Sequence, residues 1–192
     1  MSLFSGRKER PHDPKGGYLR YFGLQQWYSD LSEDERQLLN GACPDILDES
    51  ILETSQSPGS FIRRCAEQVA SADVNFAERL FDLAEQLDEN PIDVHFTLMN
   101  AAEFHRRHTQ HAKKWHGTIE RDVALLPAFA KAWRKEHGRE LPGYPALESQ
   151  IQTMQARGEL PEALELCRHA LSLGIAGNWE ERIRQMETKI RD

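Results

Sequence analysis

The chain has 192 residues and a mass of 22.1 kDa, with 39% hydrophobic residues, 29% charged residues and a formal net charge of −7. That composition is ordinary for a single soluble domain and excludes a wholly disordered, collagen-like or membrane-spanning chain. The surplus of acidic over basic residues, 31 against 24, repels phosphate backbones, so nucleic acid is not an expected partner.

Residues 1–17 carry Arg7, Lys8, Arg10 and Lys15 among two prolines and three glycines. They read as a flexible basic tail, because such a stretch cannot bury a core. Residues 18–56 form an aromatic-rich helical segment, with Tyr18, Tyr21, Phe22, Trp27 and Tyr28 at its start. These rings read either as cover for the first helix pair or as an interface. Ser32 and Glu35 have capping-box spacing and predict a helix that stops near Gly41, and a second short helix is expected over 45–53.

From residue 57 to 192 the pattern is helix after helix. Phe61, Ile62, Cys65, Ala66 and Val69 mark one apolar stripe behind a Ser57–Pro58 start, and Ala77, Leu80, Phe81, Ala84 and Leu87 mark the next. Asn90-Pro91 opens a third helix carrying Ile92, Phe96, Met99 and Ala102. A fourth is expected between 109 and 126, and Pro127 is expected to start a separate short one to 137. A loop covers 137–145. Three further helices follow, the last behind an Asn178-Trp179 start. No stretch alternates as a strand, so the fold class is all-α, and no segment is apolar for long enough to cross a bilayer.

The second helices share a spacing: Ala77, Phe81 and Ala84 in one, Ala163, Cys167 and Ala170 in another, with Ala112, His116 and Ile119 as a weaker copy. Small residues so placed let helix backbones approach closely. The tract ARGELPEALELCRHAL at 156–171 resembles the helix–turn–helix of a tetratricopeptide repeat, and the resemblance extends over about residues 58–173. It implies antiparallel helix pairs stacked as a right-handed superhelix, with the last helix as a cap. The segment 90–96 also resembles one found in uncharacterised bacterial proteins of similar size.

The resemblance implies a concave face lined by the first helices. Thr97, Ala101, Phe104 and His105, then Glu148, Gln152 and Gln155, would point into it and bind a protein partner. The basic clamp of chaperone-binding members is missing, since Ile62, Ala66, Thr97 and Ala101 occupy its places.

Three cysteines, Cys43, Cys65 and Cys167, are widely spaced, and there is no apolar leader segment, so a reducing cytoplasm is expected. Cys65 and Cys167 fall on apolar stripes, whereas Cys43 sits in an expected loop. His105, His108 and His111 crowd one basic stretch and offer an alternative, a metal site, although an expected turn at 108–110 interrupts their helical face. No phosphate-binding loop, nucleophile elbow or HExxH motif is present. The expectation is a non-enzymatic adaptor without cofactor.

Overall fold

The computed structural model describes residues 17–48 and 54–191, apart from the side chains of Thr109 and Ala112. The expected basic tail, up to residue 16, lies outside the described residues, as does the second half of the helix expected over 45–53. The described residues form ten α-helices: α1 (Gly17–Tyr21), α2 (Gln25–Asp30), α3 (Glu33–Ala42), α4 (Pro58–Val69), α5 (Val74–Leu87), α6 (Pro91–Arg107), α7 (Ala112–His137), α8 (Pro145–Ala156), α9 (Leu160–Ser172) and α10 (Trp179–Arg191). Short 3-10 turns at Pro44–Leu47 and Thr109–His111 join them. No strand occurs among the described residues beyond one isolated bridge between Leu141 and Ile175. No helix there is long and apolar enough to cross a membrane.

The helix starts follow their capping chemistry. Ser32 and Glu35 close a reciprocal box, with the Ser32 N–H donating to Glu35 Oε2 at 2.8 Å and the Glu35 N–H to Ser32 Oγ at 3.3 Å. Ser57 accepts from the Ser60 N–H at 3.0 Å ahead of Pro58, and Asn90 accepts from the Ile92 N–H at 3.0 Å ahead of Pro91. In both helices proline takes the first turn, where a missing N–H costs nothing.

Pro127 does not divide a helix. α7 runs through it for 26 residues. The ring lies on the exposed side, while Leu126, Phe129 and Ala130 beside it are buried. Packing against α6 and α8 on the inner side holds the helix across the lost donor.

Neighbouring helices pair in order: α4 with α5, α6 with α7, α8 with α9, and α10 against α9. α6 also touches α4 and α5, and α8 touches α7. Ala77, Ala84, Ala163 and Ala170 have no exposed surface, so the small positions do face helix–helix contacts. His116, in the weaker copy, is exposed instead.

The buried apolar residues fall into two clusters. One joins α1 to α5 with Ala101 and Phe104 of α6. The other joins Ile92 and Ala102 of α6 with α7 to α10. α6 is thus apolar toward both sides and shows no single apolar stripe. The N-terminal rings cover the first cluster: Tyr18 stacks on Phe61 with centroids 4.5 Å apart, and the buried Tyr28 donates to Asn40 Oδ1 at 2.8 Å. Gly17, at φ +66°, seats α1 on the first 3-10 turn, where a Cβ would stand 2.5 Å from the Ile46 carbonyl oxygen.

Cys43 does lie in the link between α3 and the first 3-10 turn, but it is buried there rather than exposed. It ends α3 with 1% exposure, and its Sγ lies 3.7 Å from Gln68 Oε1. Cys65 and Cys167 are buried on their stripes, and all three thiols are free.

Candidate binding site between α4 and α6

α4 and α6 open successive pairs and lie against each other. Ser57, Ser60, Arg63, Arg64 and Glu67 recur at helical spacing along the start and body of α4, and Asp93 and Asn100 do the same on α6. With Ser55 and Gln56 they line a polar cavity of about 410 Å³ that opens to solvent.

Behind the lining residues runs a chain of hydrogen bonds around Asp88, which is buried. Its carboxylate accepts from the Ser57 hydroxyl and the Thr97 hydroxyl, each at 2.8 Å. Arg63 donates to Thr97 Oγ1 at 3.4 Å and to Ser60 Oγ at 3.3 Å. Gly59 makes this arrangement possible, because a Cβ there would stand 2.1 Å from the Asp88 carboxyl carbon. On the outer wall, Arg64 pairs with Asp45 at 2.5 Å and lies over the Phe61 and Tyr18 rings. Burial, and then the neighbouring Asp88 charge, push the Asp93 carboxyl above its ordinary pKa.

The structure places the expected partner-binding residues in two different settings. Thr97, Phe104 and His105 are buried, as is Ala101. None of these four offers a surface, because α4, α5 and α7 enclose α6 on several sides. Ile62 and Ala66 are likewise core residues. Thr97 does not line the cavity; it lies beneath it and accepts from Arg63, which does. Glu148, Gln152 and Gln155 remain at or near the surface of α8, with Glu148 paired to Arg182 at 3.2 Å.

The histidine stretch is built into a seam between α5, α6 and α7. Glu78 Oε1 meets His111 Nδ1 at 2.8 Å and Lys114 Nζ at 2.7 Å, and His105 Nε2 lies 3.4 Å away. The Thr118 hydroxyl donates to the Lys114 carbonyl at 3.0 Å, so it accepts from His105 Nδ1 at 3.1 Å. That assignment leaves Nε2 bare, buried and without a hydrogen bond. Burial holds the His105 pKa below its ordinary value, against the pull of the Glu78 charge. His108 lies on the Phe104 ring, 4.7 Å between centroids. Among the described residues no three His, Cys, Asp or Glu side chains are grouped to hold a metal ion.

A second buried polar group joins α6, α7 and the residue before α8. His95 Nδ1 meets Asp122 Oδ1 at 2.8 Å, and the Tyr144 hydroxyl reaches the same oxygen at 2.6 Å. The His95 ring stacks on Tyr144, 4.3 Å between centroids. Asp122 Oδ2 is buried and unpartnered. Burial and the Asp122 charge push the Tyr144 pKa well up. The only sequence signal for this clasp is the segment 90–96, which holds His95 but neither partner.

The chain is 24% identical over 199 residues to an uncharacterized protein of Aquifex aeolicus (strain VF5), covering 94% of this chain and 96% of that one. The similarity to uncharacterised bacterial proteins therefore runs almost end to end. No family model matches the chain, and no solved structure matches it.

Proposed function

We propose that this chain is a tetratricopeptide-like adaptor, without catalytic activity or cofactor, that docks a protein partner along the face formed by α4, α6 and α8. The observation that carries this reading is the run of paired helices with Ala77, Ala84, Ala163 and Ala170 buried between neighbours, which a stacked repeat requires. In such an array the first helices of successive pairs form a continuous face, and here the polar cavity lies between two of them. The docking residues assigned are Ser60, Arg63 and Asn100 at the cavity, with Glu148, Gln152 and Gln155 further along. Three free, buried cysteines suit a reducing cytoplasm.

The test is capture from lysate of the native host with the full chain and with two filling variants, Asn100→Trp and Gln152→Trp, each checked for unchanged helicity. A partner retained by wild type and lost by either variant supports docking on this face. A partner held equally by all three chains, or turnover of a substrate by purified protein, overturns it.

A further inference from the structure

The charges around the α4–α6 cavity do not balance. Arg64 is matched by Asp45, with which it forms an ion pair. Arg63 leans through Thr97 on the buried Asp88. Ser57 donates to Asp88 at 2.8 Å and is also the hydrogen-bonding neighbour of Asp93, so one hydroxyl proton is shared between two carboxylates. Asp93 faces Arg63 across the cavity without closing an ion pair among the described residues, and Glu67 stands exposed at the rim. With Arg64 matched by Asp45, the carboxylates of Asp88, Asp93 and Glu67 stand against Arg63 alone, which donates to two hydroxyls and closes no ion pair among the described residues, so acidic groups are in excess around the cavity. A half-buried carboxylate that shares a single hydroxyl proton is poorly solvated, and an incoming cation restores what burial removed.

We infer that the cavity is a cation site that receives the guanidinium or ammonium head of an arginine or lysine side chain from the docked partner. The inference rests on the docking reading for the source of that side chain. Asp93 supplies the charge, and Ser60 and Asn100 supply hydroxyl and amide oxygens for the remaining N–H donors. The cavity, about 410 Å³, has room for the whole side chain. The alternative, an anion drawn to Arg63 and Arg64, would meet the surplus of carboxylates around them and would compete with Asp45 for Arg64.

The test uses the full chain and blocked single residues as probes: N-acetyl-arginine amide, N-acetyl-lysine amide and N-acetyl-glutamate amide. Amide NMR shifts are followed at Ser60, Arg63, Asp93 and Asn100. Saturable shifts with the two cations and none with glutamate are expected. Asp93→Asn should weaken cation binding by about tenfold, the loss typical of one partly buried charge pair. Glu67→Gln, at the exposed rim, should weaken it less, and Asp34→Asn, exposed on α3 and outside the cavity lining, should leave it unchanged. Binding should also fade as pH drops and Asp93 takes up a proton, with Arg63, Arg64, Asp88, Glu67 and Glu136 as the charged groups facing it. Preferential glutamate binding, or equal cation binding by Asp93→Asn and wild type, overturns the inference. If the cations fail while Asn100→Trp still abolishes partner capture, the docking reading stands and the cation site falls. If the cations bind through Asp93 while no partner is lost from the filling variants, the reverse holds.

Discussion

Gly59→Ala provides a sharp test of the packing around Asp88. In an open helical position, glycine to alanine stabilises by about 1 kcal/mol through helix propensity. Here the added Cβ would stand 2.1 Å from the Asp88 carboxyl carbon and from Oδ1. The carboxylate must move, and it is held by the Ser57 and Thr97 hydroxyls at 2.8 Å each. Hydrogen bonds to a charged group contribute about 1.5–3 kcal/mol each, so losing both costs about 3–6 kcal/mol. Subtracting the propensity gain leaves a net loss of about 2–5 kcal/mol. For a chain of this size that lowers Tm by about 4–20 °C. The assay is urea unfolding followed by circular dichroism, with the slope checked for constancy. The same substitution in an Asp88→Ala background should cost nothing or stabilise, since the clash is gone. A Gly59→Ala chain as stable as wild type, or a penalty that persists without Asp88, would refute the reasoning.

Ala163→Leu should destabilise by about 1–3 kcal/mol by overpacking the α8–α9 contact, while Ala156→Leu at the exposed end of α8 should be near neutral in the same urea assay. Tyr144→Phe removes a donor from the buried Asp122 and should cost about 1–3 kcal/mol by the same measurement, with secondary structure intact. His105 is held neutral in the fold while its unfolded form titrates near 6.5, so the unfolded state binds the proton first as pH falls. Stability should therefore decline as pH drops below about 6.5 toward the depressed folded pKa, and His105→Asn should flatten that decline. Unfolding curves at half-unit steps from pH 7.5 to 5, with pH values on the order of these, would show an unchanged slope in the variant if His105 plays no part.

The helical class and most helix starts were legible because they depend on local chemistry. Ser32 and Glu35, Ser57 with Pro58, and Asn90 with Pro91 act within one turn, and each caps the helix expected of it. The alanine spacing reads out as buried contacts for Ala77, Ala84, Ala163 and Ala170, since a buried small residue and its period lie on the same helix, but not for the weaker copy, where His116 is exposed. What was hidden depends on contacts between distant segments. α6 shows mixed polarity along its length, which suggests an exposed side, yet Thr97, Phe104 and His105 are enclosed because helices cover it from both flanks. The polar cavity joins Ser57 to Asp93 across an intervening helix, and neither residue has a motif that names the other. Pro127 carries a strong local stop signal that packing on the inner side overrides.

α6 belongs to both apolar clusters, and this has a consequence for how such a protein can be cut. A fragment that ends after α5 would bare the surfaces that Ala101 and Phe104 cover, and one that begins at α7 would lack Ile92, Ala102 and the His95 clasp. Truncations on either side of this shared wall should yield aggregating halves.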